Sequence, residues 1–222
     1  MKGIICAFSI LGLFVLMNPY LSSAQEEQVI KLPPPQMDGG MPLMKALSLR
    51  KSTRGNFGPD TKLSMQVLSN LLWAADGVNR PNDYRTAPSA VNWKNIDIYV
   101  TTEDGLFLYD APKNILKVLG KEDVRAVAGQ QPFVKTAPLN LIYVADFAKA
   151  TFPGSDGKPA PTAEIWSYAG VGFIAQNVYL FCASENLACI VRAMADGEAI
   201  AKTLKLRPDQ KFLLAQTVAH FK

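Results

Sequence analysis

The chain has 222 residues and a formal net charge of +4, with 23 Lys and Arg against 19 Asp and Glu. That length fits one domain with extras and supports a sizeable core. The cations are scattered without a long run, which argues against nucleic acid or heparin as a partner, and a single histidine excludes a histidine-rich metal site.

At the N-terminus, Met1-Lys2, an apolar run over 4–17 and the small residues Ser22-Ser23-Ala24 form the pattern of a Sec-type signal peptide. Cleavage is expected after Ala24. The run is too short for a comfortable membrane span, so the mature protein is expected to be periplasmic or extracellular with no stable span. Residues 25–41 are polar, then rich in proline and glycine, and read as an extended arm. The remainder, 42–222, reads as one domain.

A first helix is expected over 42–51, with Pro42 in its first turn and Leu43, Ala46, Leu47 and Arg50 at helical spacing. A second spans 63–75. Ser64 is its N-cap, Val67, Leu68, Leu71, Leu72 and Ala75 form one stripe, and Gly77 stops it. Residues 79–95 look irregular and polar. Ile96, Ile98 and Val100 alternate as a strand, Glu103-Asp104-Gly105 is turn chemistry, and Leu106 and Leu108 return as the second arm of a hairpin. Short helices are expected at 114–119 and 122–127. The continuous apolar run 139–144 suits a central strand buried on both faces. After a surface loop at 151–161 comes the longest helix, 163–184, whose Ala169, Gly170 and Gly172 leave room for another backbone. A helix at 199–204 and a strand at 212–218 complete the chain. Helices and strands mix without strict βαβ alternation, so the fold class is α+β.

Cys6 leaves with the signal, and Cys182 and Cys189 remain. If one helix holds both, they lie roughly 10 Å apart, too far for a disulfide; if the helix ends between them, that exclusion lapses. Buried free thiols are the expectation.

Two constellations carry chemistry. Arg50-Lys51-Ser52-Thr53-Arg54 packs three cations and two hydroxyls at a helix end. Guanidinium forks match phosphate oxygens and a hydroxyl adds a neutral donor. Alone, such a cluster at a helix end is usually a solvated face favoured by the helix dipole. The second, 85–92, contains Pro88-Ser89-Ala90-Val91-Asn92. Small residues after the proline let the backbone lie against a flat ring, and Ser89 and Asn92 can bond its heteroatoms. There is no dinucleotide fingerprint, no phosphate-loop lysine and no zinc spacing. His220 stands alone near the C-terminus, which gives a catalytic triad no support. No side-chain acid, base or nucleophile is assigned, and no metal is expected.

Taken together and in this order, the two constellations resemble the nitroreductase family of FMN-dependent oxidoreductases. Arg50, Ser52 and Arg54 match its Arg-x-Ser-x-(Arg/Lys) phosphate motif, with Lys51 between them. Pro88, Ser89, Ala90 and Asn92 match its Pro-Ser-x-x-Asn-x-Gln segment beneath the isoalloxazine, with Lys94 in place of the glutamine. Residues 68–78 resemble the second helix of the branch related to SagB-type azoline dehydrogenases. Those enzymes have a glycine-rich continuation after Pro-Ser-Ala that this chain lacks, so their activity is not carried over. The resemblance places Gln130 at a polar flavin contact, the backbone of Ile190 and Val191 near flavin N5, and Lys222 at a C-terminal phosphate contact. It implies an α+β sandwich, a mixed sheet flanked by helices, forming an intertwined homodimer with FMN at the interface. The implied activity is two-electron ping-pong transfer from a small-molecule donor, NAD(P)H or another, to an electron-poor acceptor such as a nitroaromatic or quinone. Lys94 would stabilise the anionic reduced ring. The alternative is a flavin- or nucleotide-binding protein without turnover.

Overall fold

Strand β7 (Leu139–Asp146) is buried at all eight positions and organises the molecule. It pairs antiparallel with β4 (Ile96–Thr102) on one side and with β9 (Gln210–His220) on the other. The computed structural model describes residues 28–55, 57–58 and 61–222; the expected signal peptide lies outside the described residues. From β4 the sheet continues through β5 (Gly105–Asp110) and β6 (Ile115–Gly120) to β1 (Val29–Lys31). From β9 it ends on β8 (Leu187–Arg192). All seven strands pair antiparallel. A two-stranded hairpin, β2 (Val78–Arg80) with β3 (Tyr84–Arg85), stands apart within the stretch expected to be irregular.

The helices follow their stripes and caps. α1 (Leu43–Leu49) starts after Pro42. α2 (Met65–Asp76) starts where Ser64 Oγ accepts from the Val67 amide, and it buries Leu68, Leu71, Leu72 and Ala75. α3 (Ala163–Ser184) presses Val171, Ile174, Ala175, Val178 and Cys182 onto the same core cluster. α4 (Gly197–Leu204) is capped by Asp196, which accepts from the Glu198 and Ala199 amides. Its Ile200 and Leu204 close a second core cluster with Ile142, Val144, Ala128 and Val134. The sheet is therefore covered on both faces, in an α+β arrangement. Among the described residues no helix is long and apolar enough to cross a membrane.

Residues 114–119 are a strand, not the expected helix. Asn114 takes a positive φ of 49° and turns the chain back, and Ile115–Gly120 then pairs with β5 on one side and β1 on the other. Over six residues, Ile115, Leu116 and Val118 fit either period, and two neighbouring strands decide between them. β8 was not expected as a strand either. At 125–128 the short helix is a 3₁₀ turn.

The arm is extended and docked. β1 pairs with β6, the Pro33 carbonyl accepts from Ser69 Oγ and Asn114 Nδ2, and the Met41 amide donates to Ser184 Oγ at 2.7 Å. Cys182 and Cys189 are both buried and free. α3 ends between them, and burial together with bonding to Cys189 pushes the Cys182 thiol well above its usual range.

Candidate functional site

The chain leaving α1 is fastened to the outer edge of β8. The Thr53 amide donates to the Cys189 carbonyl at 2.8 Å. Two residues along the same edge, the Val191 amide donates to Tyr179 Oη at 2.8 Å, and that hydroxyl also bonds Ser52 Oγ at 2.8 Å. One tyrosine on α3 thus fixes both the loop and the strand. Parity sends the backbone groups of Ile190 toward β9, where it pairs with Thr217.

Cations gather on this loop without carboxylates. The Arg50 guanidinium lies 5.2 Å from the centre of the Tyr179 ring, and Lys51 Nζ lies 5.2 Å from that of Phe221. Arg54 is exposed, as is Lys222, which follows Phe221 at the C-terminus. Phe221 bridges to Phe57, and Phe57 stacks on Phe133 at 4.4 Å. None of these four cations forms an ion pair among the described residues, whereas Lys and Arg elsewhere do so repeatedly. Cations, a positioned hydroxyl and free surface are the donor set a phosphate monoester needs.

Orphaned polar atoms continue the site behind the loop. Thr53 Oγ1, Gln131 Oε1 and both Nε and Nη1 of Arg192 are buried without a hydrogen-bond partner among the described residues. Gln130, the residue expected at a polar flavin contact, is exposed, with its amide 3.4 Å from the Met194 carbonyl. Gln131 is the neighbour whose side-chain oxygen turns inward. Sequence reasoning missed Gln131, Tyr179 and Arg192.

The second constellation forms a separate, strained loop. Val91, Asn92 and Lys94 have φ of 38°, 60° and 50°, conformations costing about 1–3 kcal/mol each for residues with a β-carbon. Trp93 anchors the loop from within: it is buried and its Nε1 donates to the Thr151 carbonyl at 2.8 Å. Ser89 Oγ accepts from the Lys94 amide at 3.0 Å. Pro88, Val91 and Asn92 are exposed, and Ala90 is half-buried.

Here the charges are answered within the chain. Lys94 Nζ donates to Asp83 Oδ2 at 3.1 Å. Arg85 gives Nε and Nη2 to the two Asp83 oxygens at 3.1 and 3.2 Å, and Nη1 to Asp76 Oδ2 at 3.3 Å. Burial pushes the Asp83 carboxyl up, but bonds from Arg85 and Lys94 outweigh it and hold the group below its usual range. Asp76 is left with the longer contact and is more deeply buried, so burial dominates and raises its pKa to about 7. Arg85, Asp83, Lys94 and Asp97 are the charged groups around it.

Among the described residues no hydrogen bond or ion pair joins the two constellations. They meet α3 at different heights, the first at Tyr179 and the second beside Gly170 and Ile174. Roughly 8–13 Å of helix separates them. A cavity of about 630 Å³ lies elsewhere, between residues 36–41, α2 and α3, and is lined by no cation among the described residues. No cluster of three or more His, Cys, Asp or Glu is placed to hold a metal among the described residues.

A family model described as the nitroreductase family matches residues 47–220. A Methanocaldococcus jannaschii protein named as a nitroreductase is 31% identical over 156 residues, covering 65% of this chain and 76% of its own length. A Ralstonia eutropha crystal structure, also described as a nitroreductase, superposes with a TM-score of 0.79 at 39% identity, over 88% of this chain and 90% of that one. One chain of the E. coli microcin synthetase McbBCD complex shares the fold at a TM-score of 0.68 and 19% identity, over 95% of this chain and 85% of its own.

Proposed function

Because the chain belongs to the nitroreductase family of oxidoreductases, we propose that it is an exported, FMN-dependent member working by two-electron ping-pong transfer. The observation that carries this reading is the set of cations without an ion pair among the described residues, on one loop and its surroundings: Arg50, Lys51 and Arg54, with Lys222 at the C-terminus. Arg50, Ser52 and Arg54 hold the phosphate. Tyr179 holds Ser52 in place and fixes the edge of β8 against which the ring would lie. Pro88, Ser89, Ala90 and Asn92 support the ring, and the strain at residues 91–94 keeps that loop in one shape. Held there, FMN would supply two-electron redox chemistry between a donor and an electron-poor acceptor such as a nitroaromatic or quinone.

The working form is a homodimer. Ile165, Trp166, Tyr168 and Phe173 of α3 and Leu43, Met44 and Leu47 of α1 are exposed, which is more large apolar surface than helices of a lone protomer usually present. Replacing Trp166 and Phe173 with Glu is expected to give monomers by light scattering and to release the cofactor.

The first measurement is the visible spectrum of the purified chain with FMN, before and after NADH, NADPH and dithionite. Bands that bleach with a nicotinamide support a reductase. Bands that bleach only with dithionite point to another donor or to a binder without turnover. A folded protein that retains no flavin refutes the proposal.

A further inference from the structure

Arg192 carries a charge that no carboxylate answers among the described residues. It ends β8 and is 8% exposed. Its Nη2 donates to the Ala128 carbonyl at 3.1 Å and to Asn140 Oδ1 at 3.0 Å, while Nε and Nη1 have no partner. No carboxylate pairs with it among the described residues. Burial pulls its pKa down to about 10, so it stays charged at neutral pH. Holding an ion out of water without a counter-charge costs several kcal/mol, and an apolar residue of similar volume would avoid that cost.

The surroundings point to a ligand. A β-carbon on Gly129 would lie 2.8 Å from Arg192 Nε and 3.0 Å from Gln131 Oε1, so an unpartnered donor and an unpartnered acceptor flank one point. The guanidinium lies 5.9 Å from the centre of the Phe133 ring, which stacks on Phe57 beside the cradle loop. Val191, the preceding residue, lies on the edge where the ring is placed. Lys94, the cation the sequence offers for charge stabilisation, is held by Asp83.

We infer that Arg192 is the charge that favours the reduced, negatively charged state of the ring bound against β8. This rests on the FMN reading above and is separate from phosphate anchoring. A hydride donor of the nicotinamide class delivers two electrons and one proton, leaving the ring with one additional negative charge. A cation in a low-dielectric site lowers the energy of that state through its field.

The test is the two-electron reduction potential of the FMN-loaded full chain, measured by equilibration with a reference dye. Arg192→Met is expected to cut the protein's preference for the reduced over the oxidised ring ten- to a hundredfold, a fall of about 30–60 mV. Arg192→Lys restores most of it. Asn140→Asp keeps the arginine but sets a carboxylate beside Nη2, and is expected to lower the potential in the same direction. It decides the matter if Arg192→Met does not fold. An unchanged potential in a folded, flavin-loaded Arg192→Met or Asn140→Asp protein overturns the inference and leaves the proposed function standing. Failure of the folded wild type to retain FMN overturns both.

Discussion

Two basic regions lie on this chain, and their charges are settled in opposite ways. Around Asp83, Arg85 and Lys94 both find carboxylates within 3.3 Å. Around Ser52 and β8, Arg50, Lys51, Arg54, Arg192 and Lys222 find none among the described residues. The first region needs nothing from outside. Its ion pairs tie the β2–β3 hairpin to the loop at 91–94 and hold a strained backbone in place. The second leaves its charges unanswered there, and among the described residues its most buried member lacks hydrogen-bond partners on two of its nitrogens. Counting cations along the sequence treats the regions as equals; asking what each cation touches separates scaffold from site.

Removing charge from the unanswered region gives the largest effect. Arg50→Ala with Arg54→Ala is expected to weaken FMN binding by about 10²–10⁴, at about 1.5–3 kcal/mol for each charge-assisted bond. Titration by flavin fluorescence measures this. Riboflavin, which lacks the phosphate, should bind wild type and variant alike; an equal loss for both ligands would break the assignment of this loop to the phosphate.

In the answered region the sharpest probe is Asp76. Its folded pKa of about 7 lies above the ordinary 3.8, so the native state keeps a proton that the unfolded chain gives up. Stability from this group is complete below pH 4 and declines as pH rises through 7, by up to about 4 kcal/mol. Asp76→Asn should flatten that decline in urea melts at pH 5, 6, 7 and 8. A slope identical to wild type would mean that Arg85 keeps the carboxylate ionised throughout.

Tyr179→Phe should destabilise by about 1–3 kcal/mol, because it strands the Val191 amide. It should also loosen Ser52 and raise the FMN dissociation constant, and a stability loss without a binding change would detach the tyrosine from the site. Smallest of all, Lys62→Ala removes exposed pairs to Glu103 and Asp104 and should leave the melting temperature unchanged.

Much of the fold was legible because it was written in long or punctuated segments. The 22 residues of α3, the capped stripe of α2, the β4–β5 hairpin and the unbroken apolar run of β7 each had length or a terminator to fix the period. β6 and β8, six residues each, had neither, and their neighbours decided them. The site was legible in part for a similar reason. Residues 50–54 and 88–92 are contiguous, so their chemistry shows in the sequence. Lys94 looked free because its partner, Asp83, stands eleven positions away across a turn. Arg192, Gln131 and Tyr179 were invisible because being unpartnered, or bridging a loop to a strand, is a property of the folded chain.

The fastening of residues 50–54 to β8 has a consequence for handling the protein. In the seven-stranded sheet every strand but β1 and β8 has a neighbour on both sides. β1 is only three residues long, whereas β8 presents a longer edge whose outward groups meet Thr53 and Tyr179. Bare strand edges recruit strands from other molecules. The loop proposed to meet the phosphate is therefore also the guard on the sheet, and on that proposal cofactor content and solubility are expected to rise and fall together, with preparations stripped of flavin the first to precipitate on storage.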